Sequence, residues 1–178
     1  MIYEIEYCKI NNIYKLLDSM GYFKSDNYDI KFTFENTFKF GIKIKRPDYT
    51  HREMVVKYPS KNTNKEFYDM LYEYLKTEFE FDLVLYAFNN NIPVIGSYTL
   101  FSILHEFGHA IEYINRINNG GDYLDRQEMM ELSKYWEVSK IEDKKERFYA
   151  YRKIDKEEIA DKNAIMIMKK YNIKLQSV

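Results

Sequence analysis

The chain has 178 residues, of which 46% are hydrophobic and 31% are charged, so it is long enough to bury a sizeable core. Its 27 basic and 28 acidic residues nearly cancel, which gives no electrostatic reason to expect a nucleic acid as a partner. The chain has one cysteine, which excludes an internal disulfide and a zinc site built from several cysteines.

The first part of the chain predicts a helix and several strands. Residues 10–20 have a helical pattern that Gly21 ends. Apolar and polar residues alternate between 28 and 47, which predicts two strands joined by a turn near 35–37. Residues 52–59 are a candidate for a third strand.

The next stretch predicts a helix followed by a strand. Apolar residues recur every three or four positions within 62–79, behind polar residues that can cap a helix. Residues 79–88 are rich in β-branched and aromatic side chains, which favour a strand. The asparagines at 89–91 and Pro93 would end that strand.

The remainder of the chain predicts helices. A long helix is expected from about 97 to 117, followed by a break at the two glycines 120–121. The segment 122–150 is heavily charged and has helical propensity. A last helix is expected over 155–170.

This order of elements predicts an α+β fold in a single domain, residues 1–178, with a sheet-rich half at 1–95 and a helical half at 96–178. The N-terminus carries acidic residues where a signal peptide needs a basic start and an apolar run. No stretch approaches the roughly 18 consecutive apolar residues of a membrane span. We therefore expect a cytoplasmic protein without a membrane partner.

The most informative stretch is His105-Glu106-Phe107-Gly108-His109, which holds two of the three histidines in the chain. Residues four apart lie on one face of a helix, so both imidazoles can bind one metal ion. Glu106 lies about 100° around the helix from His105, where it can reach a water on that ion and act as a general base. A glycine inside a helix costs about 1 kcal/mol relative to alanine, and close approach of another element is one reason to tolerate it. The alternative interpretation is an ordinary amphipathic helix whose two histidines have hydrogen-bond partners and bind no metal.

A catalytic zinc site needs a third protein ligand and an open fourth position. The extended motif with a third histidine is absent, because Glu112 and Asn115 occupy its last two defined positions. Glu112 fits a salt-bridge role better than a ligand role, since a straight helix carries it past the ion. His51, far upstream, is a weak candidate that we expect to be exposed.

The better candidate lies in the last helix. Asp155 and Glu158 match a capping box, which leaves Glu157 as the expected ligand, although Glu158 in its place is the main alternative. Asp161, one turn beyond Glu157, can accept a hydrogen bond from the non-ligating nitrogen of His105. A solvated charged face formed by Glu157 and Asp161 is the structural alternative.

The residues His105-Glu106-x-x-His109 and Glu157-x-x-x-Asp161 together resemble the gluzincin zinc metallopeptidases. The second motif resembles neprilysin-like enzymes. The stretch HEFGHA at 105–110, together with a glutamate about 50 residues on, resembles the catalytic domain of anthrax lethal factor. The resemblance covers about residues 97–170. It implies a zincin-like fold with a small mixed sheet, an active-site helix and a C-terminal ligand-bearing helix. It also implies one zinc per chain on His105, His109 and Glu157, with Glu106 as general base. A substrate strand would lie along the edge of an upstream sheet, for which 81–88 is the candidate.

Some members of this family use a tyrosine or a histidine to stabilise the transition-state oxyanion. Tyr149 and Tyr151 precede Glu157 and are the candidates here, with Arg152 as a weaker alternative. The expected function is hydrolysis of peptide bonds in a peptide or protein substrate. Two alternatives stay open: a zincin-like binding or structural protein without useful activity, and a regulatory protease that cuts one partner protein.

Overall fold

A computed structural model describes residues 3–4, 7–59, 61–62, 65–121 and 126–171 of the protein. The strands in these ranges are β1 (Tyr3–Glu4), β2 (Asp29–Thr37), β3 (Gly41–Lys45), β4 (His51–Pro59) and β5 (Lys61–Asn62). The helices are α1 (Tyr7–Ser19), α2 (Lys65–Phe79), α3 (Leu83–Asn89), α4 (Val94–Asn118), α5 (Arg126–Ser139), α6 (Lys144–Arg152) and α7 (Asp155–Tyr171). The mixture confirms the predicted α+β class. Within the described ranges no helix is both long and apolar enough to cross a membrane.

The main sheet has three strands in the order β2-β4-β3. Strand β4 lies at its centre, parallel to β2 and antiparallel to β3. Both strands predicted between 28 and 47 form, but the connection lies at 38–40 and not at 35–37. They are not neighbours, because β4 carries the fully buried Met54 and the nearly fully buried Val56 and takes the central position.

Residues 83–89 form helix α3, so the strand predicted over 79–88 is wrong. The Asp82 carboxylate accepts hydrogen bonds from the backbone N–H groups of Val84 and Leu85, at 3.0 and 2.9 Å, and caps this helix. Leu83 and Ala87, four residues apart, face the core. The cap and the helical burial pattern outweigh the β propensity of the side chains. Residues 81–88 therefore cannot form the sheet edge along which a substrate strand was expected to lie.

Helix α4 is the centre of the core, and almost all of its side chains from Gly96 to Ile117 are buried. Gly120, with a φ of +84°, follows its end, as the predicted break requires. Helix α7 packs against α4 at Gly108, where Ala160 makes the closest approach. Close approach of another element is therefore the reason that a glycine occurs at position 108 of this helix.

The charged segment 122–150 contains helices α5 and α6, while its residues 122–125 lie outside the described ranges. The predicted capping box of α7 does not form. The N–H of Glu158 donates to the carbonyl of the buried Ile154 at 3.0 Å, so the helical hydrogen bonds already begin at Ile154. The Asp155 carboxylate instead accepts from Lys134 at 2.8 Å, and Glu158 pairs with Lys162 at 2.5 Å.

Candidate metal centre

His105 and His109 project from successive turns of α4 toward the same point. Their Nε2 atoms lie 3.2 Å apart. His105 is buried and His109 is partly buried. A single rigid helix therefore fixes the separation of two nitrogen donors, as the motif predicts.

Helix α7 brings Glu157 to the same point. Its Oε2 lies 3.1 Å from Nε2 of His105 and 3.5 Å from Nε2 of His109, and the residue is 3% exposed. Glu158, the alternative ligand, points elsewhere and pairs with Lys162. The three residues His105, His109 and Glu157 form a group that could hold a metal ion.

The spacing of the three donor atoms fits a small tetrahedral ion. Bonds of about 2.0–2.1 Å in tetrahedral geometry place ligand atoms about 3.3–3.4 Å apart. The observed separations of 3.1, 3.2 and 3.5 Å lie on either side of that value. Two imidazole nitrogens and one carboxylate oxygen are also a donor set typical of zinc sites that keep an open position.

Asp161 contacts the ring nitrogen of His105 that points away from Glu157. Nδ1 of His105 lies 2.8 Å from Oδ1 of the fully buried Asp161, so the ring donates there and its Nε2 is directed toward Glu157 and His109. Nη1 of Arg152 donates to the same oxygen at 2.7 Å. Because both groups contact this oxygen, Nη1 also lies 3.2 Å from Nδ1 of His105. Arg152 is thus engaged on the side of His105 away from His109, which argues against an oxyanion role for it.

Burial and neighbouring charged groups shift the pKa values of His105, Glu157 and Glu106. Burial and Arg152 lower the pKa of His105, but the carboxylates of Asp161 and Glu157 outweigh them and raise it to about 9. Burial raises the pKa of Glu157, but its hydrogen bonds to His105 and His109 outweigh burial and hold that pKa well below its usual range. Burial also raises the pKa of Glu106, which makes its carboxylate a stronger proton acceptor.

The donor atoms open into a cavity of about 500 Å³ between the sheet and the helices. The sheet side is formed by β3 and the residues before it, among them Phe40, Gly41 and Ile42. Glu106 lines the cavity together with the two histidines. Strand β3 is an edge strand, so one of its sides has no neighbour in the three-stranded sheet.

The two predicted tyrosines separate in the structure. Tyr151 lines the cavity together with Glu157. Burial and the charge of Glu157 raise the pKa of Tyr151 above its usual range. Tyr149 lies on the opposite side of α6, because residues two apart point in nearly opposite directions on a helix. Its ring packs edge-on against Tyr74 with centroids 5.6 Å apart, so the prediction that Tyr149 faces the site is wrong.

Tyr135 of α5 is the site residue that the sequence did not reveal. Its hydroxyl donates to Oε1 of Glu157 at 2.7 Å, and it also lines the cavity. It is one of 18 tyrosines and sits in a charged segment, so neither its spacing nor its neighbours distinguish it. Only the packing of α5 against the start of α7 brings it to the metal position.

Two other candidates behave as expected. His51 is exposed at the start of β4, where its Nδ1 lies 2.8 Å from Asp48. It is absent from the group that could hold a metal. Glu112 lies at the edge of the cavity and pairs with Arg116 at 3.9 Å, in keeping with a salt-bridge role.

Comparisons of this chain with protein-family models, curated proteins and solved structures found no match. The resemblance to the gluzincins therefore rests on five residues alone, His105, Glu106, His109, Glu157 and Asp161. What the site does has to follow from the chemistry and geometry of its own side chains.

Proposed function

We propose that the protein is a small zinc-dependent endopeptidase with a zincin-like fold of the gluzincin type. The observation that carries this proposal is the triangle of donor atoms from His105, His109 and Glu157, with sides of 3.1–3.5 Å. Glu106 lies in the same cavity, and an edge strand forms the facing wall. A metal site with a purely structural role would need neither the buried Glu106 carboxylate beside it nor a cavity lined by an edge strand.

The three ligands leave a fourth position open toward the cavity. Zinc held there would supply a bound water with a pKa lowered toward about 7 and a Lewis acid for the substrate carbonyl. Manganese or iron would fit the same geometry less well, because two imidazoles and one carboxylate with an open position favour zinc.

Glu106 is proposed as the general base. It takes a proton from the attacking water and passes that proton to the leaving amine. Its burial at 8% exposure raises its pKa, which suits a group that must accept and then release a proton near neutral pH. Its place on α4, next to the first ligand, fixes its distance from the reaction centre.

The substrate backbone is proposed to lie along the free edge of β3. Strand β3 pairs with β4 on one side only, so its other edge offers N–H and C=O groups to an extended peptide. Residues of β3 line the cavity that contains His105 and Glu106. The free edge of β3 takes the place of the strand that the sequence suggested at 81–88.

Tyr151 is the proposed donor to the transition-state oxyanion. It shares the cavity with Glu106 and the two histidines. A hydroxyl aimed at developing negative charge in a partly closed site stabilises the transition state more than the substrate. Its place in the cavity with Glu157 supports a position beside the scissile carbonyl.

The wall of the cavity formed by the sheet is basic. Lys39 and Lys57 line it, and neither forms an ion pair with any residue in the described ranges. The carboxylates on the opposite side belong to Glu106, Glu112 and Glu157, each with a role or partner of its own. We therefore expect the substrate to carry acidic side chains near the cleaved bond.

The Glu106→Gln variant tests the function. It should bind as much zinc as the wild type and lose cleavage of unstructured protein and peptide-library substrates, because the amide cannot accept the proton. Equal cleavage by this variant would refute the mechanism. Bound zinc without cleavage of any substrate by the wild type would favour a zincin-like binding protein, and cleavage of a single host protein would favour a regulatory protease.

A further inference from the structure

The two oxygens of the Glu157 carboxylate have different partners. Oε2 faces Nε2 of His105 and of His109, at 3.1 and 3.5 Å. Oε1 accepts a hydrogen bond of 2.7 Å from the hydroxyl of Tyr135. The carboxylate is therefore oriented with one oxygen toward the metal position and the other toward α5.

This division matters because a carboxylate can bind a metal with one oxygen or with both. A catalytic zinc needs three protein ligand atoms and an open fourth position. A second bond from Oε1 would compete for that position. The hydrogen bond from Tyr135 engages Oε1 and so opposes the second bond.

Helix α5 is fixed against the part of α7 that carries Glu157. Lys134 lies 2.8 Å from Asp155, and Glu131 lies 2.5 Å from Lys156. On α7, both partners directly precede Glu157 in sequence. On α5, one partner is adjacent to Tyr135 and the other lies one turn before it. The pair of Glu131 and Lys156 is the more buried of the two, with side chains 9% and 21% exposed, so it contributes most to holding α5 beside Glu157. Lys134 and Asp155 are 45% and 65% exposed, so their pair contributes little.

We propose that Tyr135 is a positioning residue that restricts Glu157 to single-oxygen coordination and keeps the fourth position of the metal open. The inference rests on the proposed metal site. Tyr135 acts through Glu157, whereas Tyr151, whose ring centroid lies 5.6 Å from that of Tyr135, is proposed to act on the substrate. The two tyrosines therefore predict different consequences when their hydroxyls are removed.

The test compares Tyr135→Phe with Tyr151→Phe and with Lys134→Met, which removes a neighbouring ion pair of α5 without touching Glu157. Zinc affinity is measured by competition with a chromophoric chelator. Coordination is read from the visible absorption of the cobalt(II)-substituted protein, which is strong for four-coordinate and weak for five-coordinate cobalt. Unfolding temperatures of the zinc-free proteins verify that each variant folds.

Tyr135→Phe should weaken zinc binding about 10- to 100-fold, as loss of a group that orients a ligand does. It should also lower the intensity of the cobalt spectrum. Tyr151→Phe and Lys134→Met should keep the wild-type spectrum. A Tyr135→Phe protein with wild-type zinc affinity and an unchanged spectrum would overturn the inference and leave the metal site intact. A wild type that binds no metal would overturn the proposed function itself.

Discussion

Gly108 of α4 lies directly against Ala160 of α7, so that a methyl group on Gly108 would come within 2.6 Å of the Ala160 carbonyl oxygen and 2.9 Å of its Cα. The side-chain amide of Asn163 donates to the Gly108 carbonyl at 3.2 Å at the same crossing. This crossing joins the helix that carries both histidines to the helix that carries Glu157. The close approach of the two helices therefore sets the distance between Glu157 and the two histidines.

Gly108→Ala should separate the two helices and weaken metal binding. Backbone atoms that meet the new methyl group cannot rotate away, and overpacking of this kind costs about 1–3 kcal/mol. Alanine is about 1 kcal/mol more favourable than glycine inside a helix, so we expect the free energy of unfolding to fall by up to about 2 kcal/mol in total. Chemical denaturation and zinc affinity measure the two effects.

Gly41→Ala is the matched control, since a methyl group there would meet nothing within 4 Å. It should leave zinc affinity unchanged. If Gly108→Ala bound zinc as tightly as this control, the close crossing would not determine the site.

Asp161→Asn should weaken both the fold and the metal site. The carboxylate is fully buried between Arg152 and Nδ1 of His105, at 2.7 and 2.8 Å. Removing its charge leaves Arg152 buried without a partner, which costs about 3–5 kcal/mol in comparable pairs. The loss of the contact to His105 should lower zinc affinity about 10- to 100-fold.

The double variant Asp161→Asn with Arg152→Met separates these effects. It should recover part of the stability, because no unpaired charge is left, but it should not recover zinc affinity. Recovery of both would mean that Asp161 contributes through the ion pair alone and does not orient His105.

Tyr151→Phe should lower kcat with little change in zinc content. Loss of one donor to a developing oxyanion costs about 100- to 1000-fold in comparable enzymes. Tyr149→Phe is the control from the same helix, and its kcat should stay near the wild-type value because its ring packs against Tyr74. Steady-state kinetics on a cleaved peptide compares them, and equal rates for the two variants would exclude Tyr151 as the donor.

Lys39→Gln and Lys57→Gln should reduce the preference for acidic peptides. Exposed charge pairs contribute about 0.2–1 kcal/mol each, so each change should lower kcat/KM for an acidic peptide by up to about fivefold. A neutral peptide of the same length should be affected little. Added salt should reduce the difference between the two peptides, and no difference at low salt would show that the basic wall does not select the substrate.

The sequence predicts the site better than it predicts the sheet. The two histidines and Glu106 lie on one helix, where spacing alone fixes geometry. Glu157 and Asp161 repeat that spacing on α7, and Gly108 indicates that another element can come close to α4. Tyr135 could not be found, since its contact with Glu157 depends on how α5 packs and on no local pattern.

The errors in the sheet-rich half have a common origin. Residues 83–89 have strand-forming side chains, but the local cap from Asp82 and burial of one helical face decide the outcome. Strands β2 and β3 are recognisable by alternation, yet the insertion of β4 between them depends on burial of Met54. Propensity and alternation carry no information on such pairings.

The most direct test of the account is the zinc content of the protein after purification without added metal, for the wild type, Glu157→Ala and Glu158→Ala. The account predicts about one zinc per chain in the wild type, the same in Glu158→Ala and a marked loss in Glu157→Ala. A wild type without metal even after zinc is supplied, or equal zinc content in all three proteins, would contradict the three-ligand site and the peptidase proposed from it.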